Sequence, residues 1–283
     1  MDKVDETELT GNDSEKTYKL IEPLLRDLDI LGLKGYGFKF FLWDKIYSYY
    51  LKAARPDRVP QFSLKWSRRE LEKMLSKRLI AFSESQVQHF YQVFEDQTDL
   101  KPDFVVSILG WLSPRNVIRF CDKTISHQLQ LDTQSNHITF KALDQASISF
   151  SNEVSKELYG EDILRDLKRC GRDLFTVNYL ANDVFKTSHQ NTSRNKITEW
   201  IKSGAVKQVG STQVAGSKKP SNLYHVLDPR IKRLIHQTIP LARFIHNNWV
   251  DCKHCNADIL IDLSNLIDGD EVLCWNCDRP ILS

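Results

Sequence analysis

Apolar side chains recur at helical spacing near the start of the chain. The pattern over residues 18–28 predicts an amphipathic helix, and the aromatic-rich stretch 38–51 has apolar positions with the same period. Residues 1–16, by contrast, are polar and acidic, and we expect them to form a disordered tail. The chain is therefore predicted to open with a short tail followed by helices.

Three more helices are predicted between residues 83 and 123. The first is capped by Ser83 or Ser85 and runs to about residue 94, and the second runs from Asp99 or Pro102 to 111. The third begins at Ser113-Pro114, with serine at the N-cap and proline at the first helical position, and extends to about residue 123. This half of the chain is thus interpreted as mostly helical.

A β-hairpin is predicted directly after these helices. Residues 127–131 and 137–140 alternate between apolar and polar side chains, and the polar stretch 132–136 lies between them as a turn. The segment 17–150 is therefore expected to be a helical domain that contains one hairpin.

The pattern over residues 155–228 alternates helices with short strands. Helices are predicted at 155–170, at 177–185 after the cap Thr176, and at 191–202, where Ile197, Trp200 and Ile201 face inward. Ser203-Gly204 closes the last helix, strands follow at 205–209 and 222–227, and a loop rich in Gly, Ser and Lys joins them.

This order of elements resembles the winged helix-turn-helix family of DNA-binding domains. The resemblance covers about seventy residues and rests mainly on a helix, Ser-Gly, a strand, a basic glycine loop and a returning strand. It implies that residues 191–202 form a recognition helix that enters the major groove, and that residues 210–221 form the wing. The residues it places at DNA are Asn191, Thr192, Arg194, Asn195, Lys196, Lys202, Lys218 and Lys219.

Two neighbouring segments extend this interpretation. Three helices followed by a hairpin over residues 84–143 have the order of a degenerate winged helix, which would make an earlier copy of the same module. After the wing, Asp228-Pro229 begins a connecting helix that runs to about residue 247 and is expected to kink or split at Pro240. The winged helix and its connecting helix are assigned to residues 151–249.

Four of the six cysteines form two Cys-x-x-Cys pairs, Cys252 with Cys255 and Cys274 with Cys277. Each pair can place two thiolates on one side of a tight turn, and two such turns make the tetrahedral four-sulfur cage that Zn²⁺ prefers. The intervening chain has two strand-like stretches and a turn, so residues 250–283 resemble a zinc ribbon. Because every ligand is protein sulfur, the expected Zn²⁺ is structural; two disulfides are the alternative.

Composition limits the remaining possibilities. The chain has 283 residues, 41% hydrophobic and 27% charged, which is typical of globular proteins with two or three domains. Neither a membrane-spanning apolar run nor a signal peptide is evident, and thiols committed to a metal suit a reducing compartment, so we expect a cytoplasmic protein. The overall fold class is predicted as α+β and mostly helical.

Charge is distributed unevenly along the chain although the net charge is only +2. Residues 34–78 carry twelve basic and four acidic side chains, and residues 186–233 carry ten and two, so each segment has a net charge of +8. Residues 251–283 carry seven acidic and two basic side chains, a net of −5. Residues 34–78 suit phosphate or an acidic protein surface, or form a solvated helix face, and the charge of 186–233 favours the DNA-binding interpretation. The acidic ribbon suits a basic partner, either another protein or the N-terminal domain of this chain.

No catalytic motif stands out, so we expect a protein that is not an enzyme. The first hypothesis is a nucleic-acid-binding protein whose winged helix contacts duplex DNA, as a regulator or as the recognition component of a larger assembly. The alternative is a scaffold or adaptor that docks proteins in a multi-component nucleic-acid-processing or defence complex. A protein partner would then contact the acidic ribbon or the basic segment 34–78.

Overall fold

The computed structural model describes residues 9–11, 13–42, 46–53, 61–62, 64–95, 99–213, 220–265 and 271–281. Its chain is mixed α+β, with many helices and small antiparallel sheets. It divides into two compact units, Met1–Leu64 and Lys65–Ser283. None of the described helices has the length and apolar character needed to cross a membrane.

Among its described residues, the first unit has three α-helices and a small core. They are α1 (Ser14–Arg26), α2 (Leu28–Leu31) and α3 (Tyr47–Ala53). Tyr18, Ile21 and Leu25 of α1 are buried with Ile46 and Tyr50, as expected for the amphipathic pattern of this helix.

Two predictions for the first unit need correction. Helix α1 begins at Ser14, where the Asp13 side chain accepts a hydrogen bond from the Lys16 backbone, so residues 14–16 are not part of a disordered tail. Residues 1–8 and 12 lie outside the described part of the chain. The aromatic stretch 38–51 is not one helix, because residues 38–42 have no regular structure and α3 starts only at Tyr47.

The second unit begins with a bundle of four helices. They are α4 (Arg68–Phe82), α5 (Pro102–Gly110), α6 (Pro114–Leu131) and α7 (Phe140–Tyr159). Val117 and Phe120 of α6 pack with Ala146 and Phe150 of α7, and the Phe120 and Phe150 rings stack with centroids 4.8 Å apart. The starts of α5 and α6 confirm the predictions based on proline and serine.

The predicted helix over residues 83–94 is wrong. Helix α4 ends at Phe82, and the Ser83 hydroxyl closes a turn by accepting from the Val87 backbone N–H. In the part of 83–101 that the structure describes, the one helical piece is a short 3₁₀ turn, Phe90–Val93. Ser83 therefore acts as a turn residue, a role that competes with N-capping for the same side chain.

The predicted hairpin at 127–140 is also wrong. Helix α6 continues to Leu131, and the buried Gln128 side chain accepts hydrogen bonds from the Thr139 N–H and hydroxyl, which begin α7. Ile138 forms an isolated parallel bridge with Phe94. The alternation over residues 127–131 is compatible with a strand or with an exposed turn of a helix. Packing of α6 against α7 favours the helix. Without the hairpin, the degenerate winged helix over residues 84–143 is excluded.

A smaller group of helices and strands follows α7. Its elements are α8 (Glu161–Cys170), β1 (Leu174–Phe175), α9 (Val177–Tyr179, continued by a π turn Leu180–Val184), α10 (Gln190–Lys202), β2 (Val206–Thr212) and β3 (Ser221–Val226). The strands are antiparallel in the order β1-β3-β2. Trp200 of α10 is fully buried and meets the Phe175 ring edge-on. Thr176 caps α9 as predicted.

The predicted helix at 155–170 is in fact two helices. Gly160 has φ 81° and ψ 164°, so α7 ends and α8 begins there with a change of direction. That region of backbone space is essentially restricted to glycine.

The connecting segment is divided at Pro240 as predicted. It contains α11 (Pro229–Ile235) and α12 (Leu241–Asn248). Arg233 of α11 is fully buried and donates to Ser147 and Asp144 of α7. These hydrogen bonds attach α11 to the helical bundle, because a guanidinium whose N–H groups all have acceptors holds those acceptors in a fixed arrangement.

Three short strands complete the second unit. Strands β4 (Trp249–Asp251) and β5 (Asp258–Leu260) form an antiparallel pair, whereas β6 (Glu271–Val272) pairs with β2. The larger sheet therefore has the order β1-β3-β2-β6. The cysteine-rich end of the chain is part of the same sheet as the preceding group of helices and strands.

Candidate functional site

The four predicted ligand cysteines form a sulfur cluster in the structure. Their Sγ atoms all lie within 4.8 Å of one another. Cys252 Sγ is 3.7 Å from Cys277 Sγ, and Cys255 Sγ is 3.7 Å from Cys274 Sγ. A tetrahedron with Zn–S bonds of about 2.3 Å has S···S edges of about 3.8 Å. The sulfur cluster therefore fits one Zn²⁺, and the separations are far longer than the disulfide bond of about 2.05 Å.

The two Cys-x-x-Cys loops have the same backbone geometry. The Asn256 N–H donates to the Cys252 carbonyl, and the Asp278 N–H donates to the Cys274 carbonyl. Asn256 has φ 54° and Asp278 has φ 55°, values that Asn and Asp tolerate better than most residues. The sequence therefore contains a second signal that the prediction missed, an Asn or Asp directly after each pair.

The electrostatics of the sulfur cluster favour a cation. Burial and the neighbouring sulfurs of Cys252 and Cys255 raise the pKa of Cys274 to about 12. Burial opposes thiolate formation at Cys252 too, but hydrogen bonds from the His254 and Cys255 backbones lower its pKa to about 7. Four thiolates this close repel one another, and a divalent cation at their centre would offset that repulsion. With four sulfur ligands, such a cation would have no position open for water or substrate.

The sulfur cluster is built into a shared apolar core. Leu174 of β1, Val209 of β2 and Leu223 of β3 are buried together with Ile259, Ile261 and Val272 from the cysteine-rich end of the chain. Cys252 and Cys274 themselves have no exposed surface. A metal in the cluster would thus brace the β1-β3-β2-β6 sheet as well as its own loops.

Two acidic residues near the sulfur cluster form ion pairs with basic residues of the same chain. Arg68 Nε donates to Asp258 Oδ1 at 2.7 Å, and Trp249 Nε1 donates to the same oxygen at 3.0 Å. Lys207 Nζ donates to Asp278 Oδ1 at 2.7 Å. Arg68 belongs to the basic segment 34–78, so one part of that charge contacts the acidic segment 251–283 of the same chain.

The predicted DNA-binding residues of α10 share an exposed face. Asn191, Thr192, Arg194, Asn195 and Lys202 are exposed. On the opposite side of the helix, Ser193, Ile197 and Trp200 are buried. Ile201 was predicted to be buried, but 43% of its surface is exposed because it lies at the border of the two faces.

The remaining three predicted DNA-binding residues have other positions. Lys196 is half-buried, and its ammonium donates to Asp166 of α8 while lying 5.2 Å from the centre of the Phe185 ring. Lys218 and Lys219 of the predicted wing fall at 214–219, outside the described residues. Strand β2 extends to Thr212, so residues 210–212 of the predicted wing belong to a strand.

The basic count of residues 186–233 overstates the charge at the surface. Arg230, Lys232 and Arg233 are almost completely buried. Arg230 makes a bidentate contact with Asp228, with Nη2 2.7 Å from Oδ2 and Nε 2.9 Å from Oδ1. Counting basic residues along the sequence does not show which of them are buried in ion pairs, because this depends on which carboxylates lie close to them in the fold.

A buried polar network lies between β3, α11 and the loop after β5; it consists of Asp173, His225, Lys232 and Asp262. Lys232 Nζ lies 2.8 Å from His225 Nε2 and also donates to the Leu260 carbonyl. Asp173 Oδ2 accepts from the Asp262 N–H at 2.9 Å. His225 Nε2 also lies 3.2 Å from the Leu260 carbonyl oxygen. Burial and the adjacent ammonium both disfavour a protonated ring, so the imidazole is neutral. Sequence reasoning missed this network, since its members are scattered over 89 positions.

Comparisons with models of protein families, with curated proteins and with solved structures gave no match to this chain. The site is therefore interpreted from its own geometry.

Proposed function

We propose that residues 161–226 form a winged helix that binds duplex DNA through α10. The order α8, β1, α9, α10, β2, β3 with three antiparallel strands supports the fold. The observation that carries the function is the exposed face of α10, which presents Asn191, Thr192, Arg194, Asn195 and Lys202 together. Asn and Thr side chains suit base edges, and Arg and Lys suit bases or phosphates.

The surroundings of α10 support this orientation. Lys196 ties the inner side of α10 to Asp166 of α8, which holds the helix with its polar face outward. The N-cap His189 provides no side-chain hydrogen bond to the first turn, so backbone N–H groups there are available to a phosphate oxygen. The protein would act as a regulator or as the DNA-recognition component of a larger assembly.

We further propose that the sulfur cluster holds one structural Zn²⁺. The S···S distances and the fully buried Cys252 and Cys274 support this assignment. Zn²⁺ would supply cross-linking without redox chemistry, in a segment whose strands are only two or three residues long.

The DNA proposal is tested by fluorescence anisotropy with a labelled duplex of about 25 base pairs and mixed sequence, titrated between about 50 and 200 mM salt. The variant Arg194→Ala/Lys202→Ala should bind about tenfold more weakly, and its slope of log K against log salt should be shallower by about two. A second variant, Lys218→Ala/Lys219→Ala, tests the predicted wing in the same way. Lys141→Ala, an exposed cation in the first turn of α7, is the matched control and should bind like the wild type.

A second candidate function, protein docking by an adaptor, is favoured by one residue. Glu199 is exposed on α10 among the residues proposed to meet DNA, where phosphate would repel it. If wild-type protein fails to bind duplex DNA even at low salt, the DNA proposal is wrong and the adaptor function is preferred.

A further inference from the structure

A wide groove crosses the helical bundle on a different set of elements from α10. It lies between α4, residues 89–91, the start of α5, and α12, and its volume is about 1520 Å³. Pockets that enclose small ligands usually have volumes of about 300–1000 Å³. The size and openness of this groove, named here the basic groove, therefore suit a segment of a polymer better than a small molecule.

Cations dominate the basic groove. Six basic and three acidic side chains line it, a formal charge of +3; the basic ones are Arg68, Arg69, Lys73, Lys77, Lys101 and Arg243. Arg69, Lys73 and Lys77 repeat every fourth residue of α4, so they form a row in which neighbours are about 6 Å apart along the helix axis. All three are exposed.

The acidic residues of the groove are mostly occupied by internal contacts. Glu72 Oε1 lies 2.7 Å from Arg68 Nη1. Asp103 accepts from the Phe90 and Tyr91 backbone N–H groups at 2.8 Å each. In contrast, Lys73, Lys77 and Arg243 form no ion pair with any residue in the described part of the chain. The groove is therefore a strip of positive charge that its own carboxylates neutralise only in part.

Aromatic surface borders the same strip. The His89 and Tyr91 rings stack with centroids 5.3 Å apart and an interplanar angle of 15°. Tyr91 is 37% exposed, and the Lys101 ammonium lies 5.6 Å from the centre of its ring. A ring face next to a row of cations is the combination by which proteins bind single-stranded nucleic acid, since bases stack while phosphates pair with the cations.

We propose that the basic groove binds single-stranded nucleic acid, with phosphates along Arg69, Lys73 and Lys77 and a base against Tyr91. An acidic protein segment would use the same cations, but it would gain little from the exposed rings. The proposal concerns α4, α5 and α12 and does not depend on DNA binding by α10.

The test uses the full-length protein and a labelled oligothymidylate of about 20 nucleotides, with binding followed by fluorescence anisotropy. Arg69→Ala/Lys73→Ala/Lys77→Ala should weaken binding at least tenfold and make the salt slope shallower by about two, since each single-strand phosphate contact contributes about 0.7. The matched control removes three exposed cations from other helices, Arg115→Ala/Lys141→Ala/Arg165→Ala, and should leave both quantities close to wild type.

The ring is tested separately by two variants of Tyr91. Tyr91→Leu should weaken binding about tenfold because it removes the stacking face, whereas Tyr91→Phe keeps that face and should bind nearly as well as the wild type. Equal losses in both variants would assign the effect to the hydroxyl and contradict stacking.

Three results would overturn the proposal. They are no binding of the oligothymidylate at low salt, equal losses in the groove variant and its control, and groove-dependent binding of polyglutamate without binding of the oligonucleotide. The last outcome would assign the groove to an acidic protein. Because Arg194→Ala/Lys202→Ala should weaken duplex binding without affecting the oligothymidylate, failure of the α10 proposal is distinguishable from failure of this one.

Discussion

At the scale of single residues, the buried polar network shows how the fold sets the charge state of its groups. Burial, together with the Lys232 ammonium, lowers the pKa of His225 to about 4, and burial lowers the pKa of Lys232 to about 8. Burial acts in the opposite direction on Asp173, but the neighbouring His225 and Lys232 hold its pKa below the usual range. The network therefore keeps one neutral imidazole and one charged pair in a site without solvent.

This charge state predicts an acid-sensitive fold. The pKa of His225 is lower in the folded than in the unfolded state, so the unfolded chain binds more protons between about pH 6.5 and 4. The free energy of unfolding contributed by His225 is fully present above pH 6.5 and should be lost as the pH falls towards 4. Urea unfolding of wild type and His225→Asn at several pH values measures it, and the difference between them should shrink on acidification.

Exposed His137 provides the control for this experiment. The variant His137→Asn should run parallel to the wild type over the same pH range, because the His137 side chain is exposed to solvent. A difference between wild type and His225→Asn that stays constant from pH 7 to 4 would contradict the neutral, buried imidazole.

At the scale of secondary-structure elements, the pairing of β2 with β6 connects two parts of the chain that the sequence suggests are separate modules. Gly210 pairs with Val272, Ser211 pairs with Glu271, and the Leu273 N–H donates to the Val209 carbonyl at 2.7 Å. The approach at Gly210 is close, because a Cβ atom there would lie 2.1 Å from the Glu271 carbonyl oxygen. The strand contact therefore requires glycine at this position.

Substitution of Gly210 should separate these strands. Gly210→Ala places a methyl group against backbone that has no rotamer to change, so we expect a loss of about 1–3 kcal/mol in the free energy of unfolding. Urea unfolding measures the loss, and hydrogen exchange should quicken at the Leu273 amide. Gly37→Ala, whose Cβ would meet open space, is the control. A loss below about 0.5 kcal/mol for Gly210→Ala would contradict the pairing.

At the scale of the whole second unit, the sulfur cluster and the helical bundle are parts of one structure. Leu260 packs with the bundle core, while the adjacent Ile259 and Ile261 pack with the cysteine loops. The Arg68–Asp258 contact links α4 to β5. The cysteine-rich segment therefore stabilises the sheet and the bundle at the same time, and this is a structural role for its acidic residues.

Removal of the metal should consequently loosen more than the cysteine loops. Reduced, folded protein should contain about one zinc per chain, and Cys277→Ser should lower both the zinc content and the thermal midpoint. Elemental analysis and calorimetry before and after chelation measure these changes. Cys121→Ala, which removes a buried thiol of α6 outside the cluster, should leave the zinc content unchanged. Less than about 0.5 zinc per chain in the wild type would contradict the four-sulfur site.

Local patterns were sufficient for several features of this protein. Several of these features depend on residues within a few positions of each other. They are the helix starts at Pro102 and Pro114, the cap at Thr176, the division at Pro240 and each of the two Cys-x-x-Cys pairs. The inner face of α10 followed from helical periodicity for the same reason, apart from Ile201 at its border. Features that depend on neighbouring residues can therefore be predicted from the sequence alone.

Tertiary structure alone decided the rest, because it depends on contacts between distant residues. The alternation at 127–131 became a helix through the contact of Gln128 with Thr139 and the packing of α6 on α7. Four cations of the basic segment 186–233 are not free at the surface, because the fold places carboxylates and carbonyls beside them. Lys196 pairs with Asp166, and the other three, Arg230, Lys232 and Arg233, are buried. The pairing of β2 with β6 likewise joins segments that are far apart in sequence, and so does the lining of the basic groove. No local sequence pattern predicts either of them.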